Sequence, residues 1–155
     1  MRTIDTRAYV SALRELTEAG QEVSMIISGS SMAPFLCHQR DSIAFRKPDP
    51  QVPLKRGDMV FYQRESGQFV MHRIYRVRPE GLCIVGDGQT EIEGPVSPER
   101  VFAIVTRVCR KGRWIGPEDF WWRFFRRVWI RLVPVRPALL RLYGAVSRLK
   151  RRGKR

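Results

Sequence analysis

The chain has 155 residues, of which 43% are hydrophobic, and its formal net charge is +14. This hydrophobic content supports one folded domain with an appendage and excludes a disordered chain. The charge is uneven, because residues 118–155 hold 12 Lys and Arg against 2 Asp and Glu, a net charge of +10, and the remainder has a net charge of +4.

The N-terminal segment, residues 1–20, predicts one short amphipathic helix. Apolar Tyr9, Leu13 and Leu16 recur at helical spacing, and Gly20 is the expected stop. Charged residues are scattered through this segment, so it does not resemble a secretory signal peptide. No stretch of the chain is apolar for long enough to predict a transmembrane helix.

The middle segment, residues 21–115, predicts a compact, mainly β domain with a curled or barrel-like sheet. Short strand-like runs alternate with turn signals throughout this segment. The runs are VSMIIS, SIAF, MVFYQ, FVMHRIYRV, LCIV and VFAIVTRV.

The tail, residues 116–155, is basic, aromatic and amphipathic, and Pro134 and Pro137 predict its division into two helices. Four apolar residues define the expected stripe: Trp121, Phe125, Val128 and Leu132. Two interpretations remain open: the stripe packs on the β domain, or residues 118–155 lie on an anionic membrane surface. Nucleic acid binding is the weakest alternative, because only the basic charge favours it.

The cysteines and histidines predict neither a disulfide framework nor a metal site. Cys37, Cys83 and Cys109 lack CxxC spacing, which is typical of reduced, buried thiols. His38 and His72, the two histidines, are too few for a zinc site. We therefore expect no cofactor and a cytoplasmic chain, peripheral on the membrane if the tail binds lipid.

A possible nucleophile lies in the run IISGSSMAPFL, residues 26–36, where Ser31 sits among turn-forming residues. A serine hydroxyl needs a nearby base. In FVMHRIYRV, alternation places His72 on the same face as Val70 and Ile74, which fits either a base in an apolar pocket or an ordinary core histidine. His38 is the weaker candidate, since it looks like a loop residue.

An acidic residue that could orient the imidazole lies in IVGDGQTEIEGPV. Asp87 stands in a Gly-Asp-Gly turn, and Glu91 and Glu93 follow. Such turns and acidic loops are also common without any function. Spacing alone does not choose among the three carboxylates.

The order of five blocks resembles the signal peptidase I family, whose clan includes the SOS-repressor type autoproteases. The blocks are GSSMAPFL, RGDMVFY, MHRIYRV, VGDGQTEIEGPV and VFAIVTRVCRKGR, and they cover about residues 24–113. MHRIYRV is similar to the archaeal and endoplasmic-reticulum type, which uses histidine as the base. Unlike typical members, this sequence has no predicted transmembrane anchor.

The resemblance implies a signal-peptidase-like curled sheet and a site made of Ser31 as nucleophile, His72 as base and Asp87 as the orienting acid, with Glu93 as a possible second acid. It further implies that the oxyanion and substrate are bound by four residues of the serine turn: Ser28, Gly29, Ser30 and Met32.

The expected function is cleavage of a leader or signal-like segment of a peptide or protein. Two alternatives use the same fold. One is a non-catalytic or self-cleaving regulator, and the other is a basic module that binds membrane or nucleic acid.

Overall fold

The computed structural model describes residues 6–152 and contains one antiparallel sheet of eight strands between terminal helices. The expected mainly β fold with an N-terminal helix and a helical tail is therefore confirmed at this level. The strands are β1 Val23–Ile26, β2 Ser42–Arg46, β3 Met59–Gln63, β4 Phe69–Arg78, β5 Gly81–Val85, β6 Glu93–Val96, β7 Val101–Arg110 and β8 Arg113–Ile115. Their order across the sheet is β1-β2-β7-β3-β4-β5-β6, and β8 pairs with β7.

The sheet buries apolar residues on both faces. In β4, Met71 belongs to one core cluster, whereas Val70 and Ile74 belong to the other. The predicted alternation of β4 is therefore confirmed for its apolar residues. His72 lies in register with Val60 of β3, in the middle of the sheet.

Helix α1, Thr6–Glu18, packs its buried face against the first of these clusters. That face consists of Val10, Leu13 and Thr17, and the predicted members Tyr9 and Leu16 are each 41% exposed. The buried residues occupy positions i, i+3 and i+7, which form one continuous stripe along a helix. The spacing of apolar residues in the sequence predicts a helix but does not determine which of its sides faces the core. The predicted stop is confirmed, because the chain leaves the helix through Gly20 with φ +85°.

Strands β6 and β8 were not predicted. β6 contains Gly94 and Pro95, which indicate a turn when only the sequence is considered. Because β6 is an edge strand, a proline there costs no hydrogen bond in the sheet interior. β8 is only three residues long and completes a hairpin with β7.

The tail forms three segments rather than two helices: α2 Phe120–Arg127, a 3₁₀ segment Trp129–Val135 and α3 Arg136–Arg152. Asp119 caps α2, since its side chain accepts hydrogen bonds from the N–H groups of Trp121 and Trp122. Pro134 lies inside the 3₁₀ segment, and Pro137 lies in the first turn of α3, where its missing N–H has no helical partner to lose.

The first two tail segments pack on the β domain through a different stripe from the predicted one. Phe125 is buried as expected and Leu132 is half-buried, but Trp121 and Val128 are 49% and 45% exposed. Trp121 and Val128 both precede the 3₁₀ segment, so their exposure reflects the rotation of α2 about its axis, which the spacing of apolar residues leaves undetermined. The buried tail residues are Trp122, Phe125, Trp129, Ile130, Val133 and Arg136.

Within residues 6–152, no helix has both the length and the apolar content needed to span a bilayer. The three cysteines are free, but each is only half-buried, so the expectation of buried thiols was wrong.

Candidate active site

The serine turn connects β1 to β2 and is held in place by its apolar residues. Met32, Phe35 and Leu36 are at most 2% exposed and belong to the main core cluster. The Leu36 N–H donates to the Met32 carbonyl over 2.9 Å. These buried side chains explain why a turn rich in serine contains methionine and phenylalanine.

Ser31 and His72 line the same cavity, which has a volume of about 690 Å³. Ser28, Gly29 and Met32 also line this cavity. Ser30 is exposed and is not among the lining residues. Of the two adjacent serines, only Ser31 therefore shares a cavity with the histidine.

The walls of this cavity are mainly apolar and come from three parts of the fold. They include Val10 of α1, Met25 and Ile27 at the end of β1, and the aromatic rings of Phe61 and Phe69. Such walls exclude water from part of the space beside Ser31 and suit apolar groups of a ligand.

His72 is 5% exposed, and its side chain makes no hydrogen bond with any described residue. Burial, and to a smaller extent the positive charge of Arg64, lower the pKa of the imidazole, and Glu93 and Asp87 act in the opposite direction; the net result is a pKa of about 4. The ring is consequently neutral at pH 7, and its unprotonated nitrogen can accept a proton.

No hydrogen bond joins Ser31 to His72 in this arrangement. Catalytic hydrogen bonds are often long in the absence of substrate and shorten when substrate binds. A shared cavity rather than a formed contact is what brings these two residues together.

Asp87 is fully buried and does not hydrogen-bond to His72. Its two oxygens accept hydrogen bonds from Arg73, from Nε over 2.9 Å and from Nη2 over 2.8 Å. Arg73 also donates through Nη1 to the Gly57 carbonyl over 2.9 Å. The expected role of Asp87 in orienting the imidazole through a hydrogen bond is therefore wrong for this structure, because Arg73 takes both oxygens.

Glu93, the possible second acid, is also engaged elsewhere. It accepts hydrogen bonds from Arg64 Nε over 2.8 Å and Nη2 over 3.0 Å, and from the hydroxyl of Tyr62. These hydrogen bonds hold the pKa of the Glu93 carboxyl below its usual value against the effect of burial. Glu93 and Asp87 thus act on His72 through their charges alone.

The Gly-Asp-Gly turn packs directly on the serine turn. The Gly88 N–H donates to the Ser31 carbonyl over 2.8 Å. A Cβ atom on Gly86 would lie 2.5 Å from that same carbonyl oxygen, and one on Gly88 would lie 2.8 Å from the Ala33 carbonyl oxygen. Both glycines are required by this close approach of two backbones, which fixes Ser31 relative to Asp87.

The tail supports the Gly-Asp-Gly turn from its other side. Trp129 Nε1 donates to the Asp87 carbonyl over 2.8 Å. Arg136 is fully buried and donates through Nη1 to the carbonyls of Gly86, over 2.9 Å, and Gln89, over 3.0 Å. Sequence reasoning missed both residues, because nothing in a basic aromatic tail distinguishes a buried arginine from its exposed neighbours.

The donors for an oxyanion differ in part from those expected. The Gly29 N–H already donates to His38 Nδ1 over 2.8 Å, so the expected contribution of Gly29 as a donor was wrong. The N–H groups of Ser30, Ser31 and Met32 make no hydrogen bond with the described residues. His38 therefore supports the turn, and the N–H groups of Ser31 and Met32 have no hydrogen-bond partner among the described residues.

The described residues contain no group of three or more His, Cys, Asp and Glu side chains that could hold a metal ion. In comparisons with known proteins, no family model, no curated protein and no solved structure matched this chain.

The burial of His72 makes the stability of the fold dependent on pH. Its pKa is about 4 in the folded protein and about 6.5 for an unperturbed histidine, so the unfolded chain binds the proton first as the pH falls. The contribution of neutral His72 is complete above pH 6.5 and is lost progressively towards pH 4, by about 3 kcal/mol.

Urea unfolding of wild type and His72→Gln at several pH values between 7.5 and 4.5 measures this effect. The variant is expected to lose less free energy of unfolding over this range than wild type does. Carboxyl groups such as Asp58 titrate in both proteins and cancel in the difference. Equal losses in the two proteins would show that His72 is not protected from protonation.

Proposed function

We propose that this chain is a serine endopeptidase of signal peptidase I type that cleaves a leader or signal-like segment. Ser31 is the nucleophile and His72 is the general base. The observation that carries the proposal is the shared cavity of Ser31 and His72, from which Ser30 is absent.

Apart from the water that hydrolyses the ester, the chemistry needs only groups that this chain supplies. His72 takes the proton of the Ser31 hydroxyl as Oγ attacks the scissile carbonyl carbon. The resulting oxyanion accepts hydrogen bonds from the free N–H groups of Ser31 and Met32. Protonated His72 then gives its proton to the departing amine. A water that His72 deprotonates attacks the remaining ester, and His72 returns that proton to Ser31 Oγ as the acyl–oxygen bond breaks.

The depressed pKa of His72 has two consequences for this reaction. The imidazole is ready to accept a proton at neutral pH, but burial disfavours the imidazolium that forms in the transition state. The charges of Glu93 and Asp87 offset part of this cost, since both favour the protonated ring. We therefore propose a Ser-His pair in which the negative charges of Glu93 and Asp87 assist the imidazole without a hydrogen bond to it.

The edge of the sheet supports an extended peptide as substrate. Among residues 6–152, β1 pairs with β2 alone, and the chain passes from β1 directly into the serine turn. An extended peptide added along the free edge of β1 would run towards Ser31, with main-chain hydrogen bonds supplying affinity. Its apolar side chains would enter the cavity lined by Met25, Ile27 and Phe69.

A cleavage experiment with the full-length protein tests the proposal. A mixture of leader and signal-like peptides is incubated with the protein, and the products are identified by mass spectrometry. The reaction is also quenched in acid, so that an acyl group bound to the peptide containing Ser31 can be detected. We expect cleavage at defined bonds and an acyl group on Ser31.

Two outcomes would contradict the proposal. One is an absence of cleavage across the whole peptide panel. The other is shortening of the protein itself without cleavage of any added peptide, which would instead favour a self-cleaving regulator.

A further inference from the structure

Helix α3 presents two different sides along its length. Leu140, Gly144 and Ser147 follow helical spacing and are half-buried. About half a turn away lie Leu142, Val146 and Leu149, which are 63%, 43% and 67% exposed. Because a helix turns by about 100° per residue, Leu142, Val146 and Leu149 form one stripe that faces away from the half-buried side.

Basic residues flank this exposed apolar stripe. Arg141 and Arg152 border it on one side and Lys150 borders it on the other, at the positions that helical geometry assigns to them. Arg148 lies further round the helix, where its Nε donates to the Gly144 carbonyl over 3.2 Å. All four are exposed. No Asp or Glu occurs anywhere in residues 120–155, so the charge of this surface is uniformly positive.

We propose that α3 docks the protein on an anionic lipid bilayer, with Leu142, Val146 and Leu149 in the interface and the flanking cations among the lipid phosphates. The inference is independent of catalysis, because it concerns a surface that contains neither Ser31 nor His72.

Charge and apolarity together select this occupant. A bilayer with anionic headgroups offers an apolar layer for the stripe and negative charge on both sides of it. A second copy of the chain would place two strongly positive tails against each other. Nucleic acid would contact the flanking cations but would leave the apolar stripe in water.

The structure divides the tail into two parts with different roles. Residues 120–136 are held on the β domain, since Trp122, Phe125, Trp129 and Arg136 are buried there, although Phe120 and Trp121 are 67% and 49% exposed. Membrane binding therefore depends on α3 and not on the aromatic residues of α2 that face the core. This division is what the experiment tests.

The experiment measures sedimentation of the full-length protein with vesicles of phosphatidylcholine alone and of phosphatidylcholine with about 30% phosphatidylglycerol. The test variants are Leu142→Gln/Leu149→Gln and Arg141→Gln/Arg148→Gln. The matched controls are Val52→Gln/Val77→Gln and Arg46→Gln/Arg113→Gln, which remove exposed apolar or basic side chains from the β domain. Circular dichroism verifies that each variant is folded.

We expect binding to anionic vesicles that falls at least about tenfold in each test variant and less than about twofold in each control. Ser31→Ala should bind as wild type does, which separates this result from the test of catalysis. Equal losses in test and control variants would overturn the proposal, because non-specific charge would then explain binding.

Duplex DNA serves as a competing ligand in the same experiment. If Arg141→Gln/Arg148→Gln weakens DNA binding while Leu142→Gln/Leu149→Gln leaves vesicle binding unchanged, the surface is a nucleic acid site and the membrane proposal is wrong.

Discussion

Replacement of Ser31 by alanine is expected to lower kcat/KM for a cleaved peptide by at least about a thousand-fold, because the attacking oxygen is removed. Ser30→Ala is the matched control. It removes an identical hydroxyl from the neighbouring position, outside the cavity that holds His72. We expect Ser30→Ala to keep kcat/KM within about threefold of wild type, measured by peptide cleavage under identical conditions.

The histidines form a second matched pair. His72→Gln is expected to lower kcat by about a thousand-fold or more while the protein remains folded, because glutamine cannot act as a base near neutral pH. His38→Gln keeps a side-chain acceptor that can receive the Gly29 N–H, so it should retain most activity. The proposal is contradicted if Ser30→Ala loses more activity than Ser31→Ala does. It is equally contradicted if His38→Gln loses more activity than His72→Gln does.

Local patterns in the sequence indicate where His72 and the serine turn lie, whereas the pairing of Ser31 with His72 was expected only from the resemblance. Alternation in β4 places His72 opposite Met71, and buried Met32 and Phe35 fix the serine turn against the same domain. Both features depend on local patterns of apolar residues, which also predicted six of the strands. Such patterns are read reliably because burial follows the geometry of each element.

The partner of Asp87 could not be predicted in the same way. The pattern of β4 sends His72 and Arg73 to opposite faces, and Asp87 follows a strand that pairs with β4. Which of two adjacent residues meets the carboxylate depends on the path of the Gly-Asp-Gly turn. Long-range contacts with Trp129 and Arg136 define that path, and no local rule encodes them.

The tail shows the same limit for charge. Arg136 is one of several arginines in a basic segment, yet it is fully buried and donates to the carbonyls of Gly86, Gln89 and Trp129. Its burial lowers the pKa of the guanidinium. Only the packing of the 3₁₀ segment distinguishes it from exposed Arg131 or Arg141.

Replacement of Asp87 by asparagine is expected to lower the free energy of unfolding by roughly 3–5 kcal/mol, because it removes the charged partner to which the buried Arg73 guanidinium is hydrogen-bonded. The side chains of Arg73 and Asp87 are 1% and 0% exposed. Such a loss is a large fraction of the total stability of a small domain. Urea unfolding at pH 7 measures it.

A double variant separates the cost of an unpaired charge from the contribution of the pair. Arg73→Met/Asp87→Leu removes both charges and keeps similar volumes, so it is expected to recover most of the stability lost in Asp87→Asn. Glu18→Gln is the surface control, since it breaks the exposed ion pair with Arg14 and should change stability by less than about 1 kcal/mol. If the double variant is as unstable as Asp87→Asn, the pair itself rather than its balance of charge holds the turn.

This pair also determines how the activity of Asp87 variants has to be interpreted. Loss of cleavage in Asp87→Asn does not by itself make Asp87 a catalytic residue, because the turn that it anchors contacts the Ser31 carbonyl.

The double variant Arg73→Met/Asp87→Leu resolves the two roles once its folded fraction matches that of wild type. If Asp87 acts through the turn, cleavage returns with stability, and the pH profile keeps its wild-type midpoint. If its charge acts on His72, stability returns while cleavage stays low and the midpoint moves to lower pH, because the carboxylate raises the pKa of the imidazole.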